Sequence, residues 1–365
     1  MIVLPGRPRI LVVALRRIGD VLLTTPLIRS LRRAWPDAMI DVLVFADTAA
    51  ILKGNPDISN VIPMPVRPGA GASAAMLLRL ARRYALAIST QTGDRPTLFA
   101  ASAGRISVAP VEGSSAMASL KRAVITHGSP VASSVHRVEE ILRLADAIGV
   151  PRVAELVAPQ GALREGLLPA EPYAVIHPAP MFHYKRWTAA GWRALIEGFA
   201  KRGLRTVVTG GPAPEERAYL DDVLHGAPEV TRLDGQLAWH EIAALASRSQ
   251  VFVGPDTSVT HLAAASGANT VALFGPTDPR LWGPWPVGGL ASPWAPAGTI
   301  QQRGNVWLVQ NPLPCLPCQQ EGCGRHLMSR SQCLDELSVN QVLVAADQAI
   351  AHSLAARRAE SGAPA

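Results

Sequence analysis

The strongest constraint on this chain is a series of short, continuously apolar segments separated by stretches of helical periodicity. Ile10-Leu11-Val12-Val13-Ala14 comes first, followed by a turn and a helical pattern over 21–34. Asp41-Val42-Leu43-Val44-Phe45, Val61-Ile62 and the strand-like 86–89 continue it, with 49–53 between them and a predicted helix at 76–84. Strands apolar on both faces need cover on both faces. Alternation with helices therefore points to parallel sheets between helical layers. No short-period repeat interrupts the pattern.

Prolines 151, 159, 169 and 172 punctuate a stretch with little periodicity, read as an interdomain linker over 150–171. The alternation then restarts, with strands expected at 173–177, 206–209, 251–253 and 270–274. Helices are expected at 190–202, 215–224, 240–247 and 260–266. Residues 339–358 read as a long amphipathic helix with a frayed 361–365 tail. A length of 365 residues, 48% of them apolar, is enough for two cores. The expectation is α/β: two βαβ domains, each built on a parallel sheet, with a cleft between them. Their bounds are 1–165 and 166–338, with 339–365 as a C-terminal helix and tail.

The apolar runs break well before the roughly 18 residues that span a bilayer. The start, Met1-Ile2-Val3-Leu4-Pro5-Gly6-Arg7, lacks a basic n-region and a long apolar core. A soluble, cytoplasmic protein is expected. Charge is uneven: residues 1–165 carry 20 Lys and Arg against 12 Asp and Glu, and the remainder 15 against 16. Either the first domain meets an anionic partner, or the chain is simply arginine-rich. Nucleic acid ranks last as that partner, because aromatics do not cluster among the basic residues.

Chemistry-bearing residues collect where strands end. Arg16-Arg17-Ile18-Gly19-Asp20 follows the first strand, where open α/β sheets bind ligands. Asp20 there is either a helix cap or a carboxylate poised as a general base. His177-Pro178-Ala179-Pro180 and His183-Tyr184-Lys185-Arg186-Trp187 follow the first strand of the second half. Their cations suit a diphosphate, and His177 and His183 read as structural hydrogen-bonding groups. Trp187 is open between packing and ligand contact. Gly210-Gly211-Pro212 and Glu215 mark a second strand end. Gly254-Pro255-Asp256-Thr257-Ser258 marks a third, opening a helix whose N-terminus suits phosphate.

As an ordered set, Gly-Asp-Val with Thr-x-Pro, Lys-x-Trp, Gly-Gly-Pro-x2-Glu, Asp-Thr-x3-His-x-Ala-Ala and Phe-Gly-Pro-Thr-Asp-Pro resembles glycosyltransferase family 9. This is the ADP-heptose:lipopolysaccharide heptosyltransferase family. The resemblance runs from about Ile10 to the cysteine stretch. It implies a GT-B-like fold of two Rossmann-like domains with parallel sheets facing a central cleft, a nucleotide-sugar held by the C-terminal domain, and an inverting, metal-independent transfer with no cofactor at the inner membrane face. Carried over, Asp20 matches the catalytic base, Lys185 the phosphate-contacting lysine and Glu215 the ribose-contacting acid. Asp256, Thr257, Ser258 and His261 fall in the donor-binding loop. An anionic glycolipid acceptor gives Arg16, Arg17, Arg67 and Arg95 a task. The segments 64–75 and 91–122, with Arg105, Lys121 and Arg122 besides, read as its loop-rich surface.

Three departures stand out: Thr188 for a proline after Lys-x-Trp, Ala179 for a glycine, and Ser89-Thr90 where an acidic residue is frequent. The last touches acceptor identity. Cys315, Cys318, Cys323 and Cys333 cluster near the C-terminus, as reduced thiols, a structural metal site or a disulfide. Two rival functions remain: another GT-B nucleotide-sugar enzyme (a different donor, or an epimerase), and a non-catalytic metal-binding derivative of the scaffold.

Overall fold

The computed structural model describes residues 1–113 and 116–361. Contacts divide the chain into two units, Met1–Gln160 and Gly161–Ala365.

The N-terminal unit holds β1 (Arg9–Ala14), β2 (Met39–Phe45), β3 (Asn60–Met64), β4 (Tyr84–Ser89), β5 (Gly104–Val111) and β6 (His127–Pro130). They form one parallel sheet in the order β3-β2-β1-β4-β5-β6, with Val13 level with Leu43 on one side and Ser89 on the other. The strand order reverses between β1 and β4, so their carboxyl ends form the topological switch point. Leu11, Val13, Leu43, Ala87, Phe99 and Ala100 pack one core beside the sheet.

The helix expected at 21–34 is two, Ile18–Leu22 and Thr25–Ala34. Pro26 has no N–H to give the Leu22 carbonyl. The Thr25 hydroxyl donates there instead, at 2.8 Å, and the Thr24 hydroxyl donates to the Asp20 carbonyl. Tyr84 opens β4 rather than closing a helix, because Arg82 turns the chain at φ 54°. The segments read as loop-rich contain helices Ala70–Leu80, Asp94–Ala103 and Ala116–Val124 as well as β5. Alanine- and glycine-rich stretches carry no apolar period, and Pro110 argues against a strand that nonetheless forms.

The C-terminal unit holds β7 (Tyr173–Ile176), β8 (Arg205–Val208), β9 (Val230–Arg232), β10 (Val251–Pro255), β11 (Thr270–Leu273), β12 (Ile300–Arg303) and β13 (Val306–Val309). The order is β12-β13-β11-β10-β7-β8-β9, parallel except for the β12–β13 hairpin. Its switch point lies between β7 and β10. The sequence reading passed over the hairpin and β9. Helix Val339–Ser361 is not a separate piece: Val342, Ala345, Ala346 and Ala349 join Trp187, Trp192 and Phe199 in this unit's core. Ser361 ends that helix, and the rest of the expected frayed tail lies outside the described residues.

Residues 151–164 have no regular structure, yet the first part is tied down. Val153 N–H donates to Ser30 Oγ, Val157 N–H to Thr25 Oγ1 and Gln160 N–H to the Lys53 carbonyl. Beyond Gly161, the Ala162 carbonyl accepts from His240 Nε2 and Arg164 pairs with Glu241. No helix among the described residues is long and apolar enough to cross a membrane.

Candidate functional site

At the N-terminal switch point Asp20 is the third residue of its helix, with Arg17 in the cap position. The capping alternative for Asp20 therefore fails. Its Oδ1 lies 3.5 Å from Arg16 Nη1 and 3.7 Å from Arg137 Nε. Arg137, which the sequence reading did not single out, is buried at the start of helix Arg137–Asp146. Its Nη1 donates to Glu140 at 2.7 Å and its Nη2 to the Thr90 carbonyl at 2.8 Å. A guanidinium fork thus links the carboxylate to the end of β4. Only a three-dimensional contact across more than a hundred residues reveals that link.

The Ser89-Thr90 departure has a local physical role. Thr90 Oγ1 donates to the Val13 carbonyl, and Ser89 Oγ donates to the Gln91 carbonyl, tying β4 to β1 at the switch point. Arg16, Arg17, Arg67 and Arg95 are exposed. Arg67 and Arg95 follow the carboxyl ends of β3 and β4, the edge that carries Asp20. Arg105 is the second residue of β5, on the opposite edge, and cannot share that surface. Lys121 is engaged by Asp94 and the Thr92 carbonyl, and Arg122 by the Gly113 carbonyl.

At the C-terminal switch point the loops after β7, β10 and β11 converge. Lys185 Nζ donates to Asp256 Oδ2 at 2.5 Å, and His261 Nε2 lies 4.0 Å from Asp256 Oδ1. Burial pushes the Asp256 carboxyl up. Lys185, His261 and a hydrogen bond from Thr277 outweigh that and hold it below the usual carboxylate range. Thr257 is the N-cap of helix Ser258–Ala265, its hydroxyl accepting from Thr260 N–H. The helix leaves unpaired N–H groups in its first turn, a positive end suited to an anion. Gly254 is needed near the end of β10, since a Cβ there would sit 2.7 Å from Thr260 Oγ1.

His177 is buried and bonded to Thr209 Oγ1 at 3.0 Å. The Thr209 hydroxyl proton goes to the Ile176 carbonyl, so His177 Nδ1 is the donor. Burial lowers its pKa to about 4, which keeps it neutral and structural. Trp187 is a packing anchor: it is buried and donates to the Leu337 carbonyl. Thr188, in the place of the usual proline, caps helix Ala189–Lys201 by accepting from Gly191 N–H. Glu215 is exposed in the first turn of helix Pro214–Leu224, and its neighbour Glu216 accepts from Gly211 N–H.

The cysteine segment buttresses the Lys185 loop. His183 Nδ1 bonds to the Ser329 carbonyl, Ser331 Oγ donates to the Tyr184 carbonyl, and Gln319 N–H donates to the Pro276 carbonyl. All four cysteines are free thiols, so the disulfide reading falls. Cys315 and Cys323 are exposed and Cys333 is buried. Cys315, Cys318 and Cys323 lie near enough to raise the Cys333 thiol, although no group of three or more His, Cys, Asp or Glu among the described residues is arranged to hold a metal ion.

Residues 77–291 match glycosyltransferase family 9 (heptosyltransferase). The chain is 30% identical over 285 residues to lipopolysaccharide heptosyltransferase 3 of Escherichia coli, covering 73% of this chain and 83% of that protein. It is 30% identical over 331 residues to lipopolysaccharide heptosyltransferase 1 of Pseudomonas aeruginosa, covering 86% and 87%. The solved structure of Escherichia coli ADP-heptose lipopolysaccharide heptosyltransferase II superposes with a TM-score of 0.71 at 18% identity, over 95% of this chain and 99% of that one. The two-sheet α/β architecture is thus the GT-B fold of the heptosyltransferases.

Proposed function

The chain belongs to glycosyltransferase family 9, the heptosyltransferases, and we propose that it moves a heptose from ADP-heptose onto the lipopolysaccharide inner core with inversion at the anomeric carbon. One observation carries the donor half of this reading: Lys185, Asp256, Thr257 and His261 meet at the β7–β10 switch point. That group offers a cation, a helix N-terminus and a buried carboxylate to a nucleoside diphosphate with its sugar.

In the proposed reaction Asp20 takes the proton of the acceptor hydroxyl as that oxygen attacks the anomeric carbon, and the sugar–phosphate bond breaks on the opposite face. Negative charge grows on the departing diphosphate. Lys185 and the first-turn N–H groups of helix Ser258–Ala265 stabilise it, so the step needs no metal ion. When phosphate arrives, the Lys185 ammonium exchanges part of its contact with Asp256 for the ligand. Ser258 lies in that first turn. Glu215 reaches the ribose from the neighbouring helix start. Arg16, Arg17, Arg67 and Arg95 meet the anionic groups of the acceptor glycolipid, which is presented at the cytoplasmic face of the inner membrane.

The test is transfer from ADP-heptose to purified core lipopolysaccharide, with mass spectrometry of the core from a strain deleted for this chain. Truncation at the inner core and restoration by the purified enzyme are expected. An unchanged core and no transfer would reject the reading.

A further inference from the structure

The two faces of the N-terminal sheet carry different surfaces. Leu11, Ala87 and Ser107 stand level on neighbouring strands, so they point to one face. On that face Leu80 of helix Ala70–Leu80 and Phe99 of helix Asp94–Ala103 pack with Leu11 and Ala87. Ala118 and Ile125, in and just after helix Ala116–Val124, pack with Ala109 and Val111 further along the Ser107 strand. The three helices therefore form one layer. Its outer side is apolar to an unusual degree: Leu78 is 80% exposed, Leu120 57%, Leu98 52% and Val124 50%. Single surface leucines are ordinary, but these sit on adjoining helices, whose axes pack about 10 Å apart.

Charge follows the same layer. Residues 65–126 carry eight Lys and Arg against two Asp and Glu, six of the chain's net +7. Among the described residues only Lys121 of those cations is ion-paired, with Asp94, while Arg79, Arg82, Arg83 and Arg122 are exposed. The connection from β1 to β2 runs the other way along the sheet. Its right-handed crossover puts helix Thr25–Ala34 on the opposite face, packed with helix Arg137–Asp146. Neither of those helices exposes a large apolar side chain. Arg29 there pairs with Asp57 and Glu155, and Arg137 with Asp20 and Glu140.

We propose that the outer side of helices Ala70–Leu80, Asp94–Ala103 and Ala116–Val124 is a docking surface for an anionic phospholipid bilayer. Leucine and valine side chains enter the boundary between headgroups and acyl chains, and the arginines meet lipid phosphates. Charge selects this occupant. A second copy would set the same positive face against itself. Nucleic acid calls for exposed aromatics, and Tyr84 and Phe99, the aromatics of this stretch, are buried. The surface is independent of the proposed transfer, because it needs neither the acceptor nor the donor.

The experiment is co-sedimentation of the full chain with vesicles of phosphatidylethanolamine and phosphatidylglycerol, or of phosphatidylcholine alone, without lipopolysaccharide or ADP-heptose. The wild type should bind the anionic vesicles at least tenfold more tightly than the neutral ones, and high salt should weaken that binding. Arg79→Gln with Arg83→Gln should weaken it about 30-fold, at about fivefold for each charge. Leu78→Ser with Val124→Ser should weaken it about tenfold. All four side chains are exposed, so melting temperatures and transfer to a soluble, deacylated core oligosaccharide should stay at wild-type values. Equal binding to both vesicle types, or variants that bind like the wild type, would overturn the docking surface. Absence of vesicle binding would also overturn it and turn the search to an acidic protein partner. A chain that docks but never transfers keeps the surface and loses the transfer reading; one that transfers to the soluble acceptor but ignores vesicles does the reverse.

Discussion

In the C-terminal unit the charged groups at the switch point are already matched to one another, with Lys185 on Asp256 at 2.5 Å and Thr257 capping its helix. In the N-terminal unit the corresponding edge is held more loosely: Asp20 lies 3.5 Å from Arg16 and 3.7 Å from Arg137. Two sheets that share the order of their first five strands thus prepare their chemistry in different ways. A matched set holds its shape while a strongly charged ligand comes and goes. A looser set leaves its carboxylate less firmly fixed. Under the proposed function the matched set takes the nucleoside diphosphate and the looser carboxylate takes the acceptor's proton.

The sharpest way to break this contrast is Asp20→Asn. If the carboxylate is the base, transfer should fall by about 10²–10⁴-fold, the range of a lost general base. ADP binding, measured by calorimetry, should not change, because Asp20 belongs to the other unit. Wild-type-like turnover would return Asp20 to a purely structural role.

Lys185→Ala attacks the matched side. Affinity for ADP should drop by roughly 10- to 100-fold, matching the 1.5–3 kcal/mol of a charge-assisted contact, while adenosine binding stays level. The variant should also melt earlier, because Asp256 keeps its buried charge and loses its principal partner. Removing both groups in Lys185→Ala with Asp256→Ala should recover part of the melting temperature without recovering ADP affinity. Equal losses for ADP and adenosine would put Lys185 away from the phosphates.

These contrasts were only partly legible in the sequence. Continuous apolar strands announced β1, β2, β7, β10 and β11, since burial on both faces leaves no room for alternation. β5 was hidden by Pro110, and the β12–β13 hairpin by its short polar turn at Gly304. The residues of the matched site were readable because each sits in a local pattern: a strand end, a glycine, a small hydroxyl and a helix start. Arg137 was not readable. It approaches the Thr90 carbonyl and the Asp20 carboxylate across long stretches of chain, and no local spacing encodes that. The Asp20 cap alternative likewise needed the backbone, because only the cap position of Arg17 settles it.

A smaller effect sharpens the comparison on the matched side. His177 is held neutral by burial, its pKa lowered from 6.5 to about 4. Between those values the unfolded chain binds a proton that the folded chain refuses, so stability rises with pH there. The contribution is complete above pH 6.5 and is lost progressively as the pH falls toward 4. Melting temperatures across that window should slope upward with pH, and the slope should flatten in His177→Gln. An unaltered slope would mean that another group governs the acid limb.

The smallest effects should come from the cysteines, and their ranking tests whether the segment that supports the Lys185 loop works by packing or by a bound metal. Cys333 is buried, and burial together with the three other cysteines pushes its thiol up to about 12, so it stays protonated as a small apolar group. It packs with Leu334 and Leu337 in the C-terminal core. Cys333→Ser puts a hydroxyl there and should cost about 1–3 kcal/mol if that hydroxyl finds no partner. Cys315 and Cys323 are exposed, and their serine variants should lie within about 0.5 kcal/mol of wild type. A metal held by all four thiolates would predict the reverse: similar, large losses at every position and sensitivity to chelation. Thermal melts of the single variants, with initial rates before and after EDTA, separate the two. Packing predicts one sensitive cysteine and unchanged rates. If EDTA abolished activity and zinc restored it, a bound metal rather than packing would hold the loop that carries Lys185.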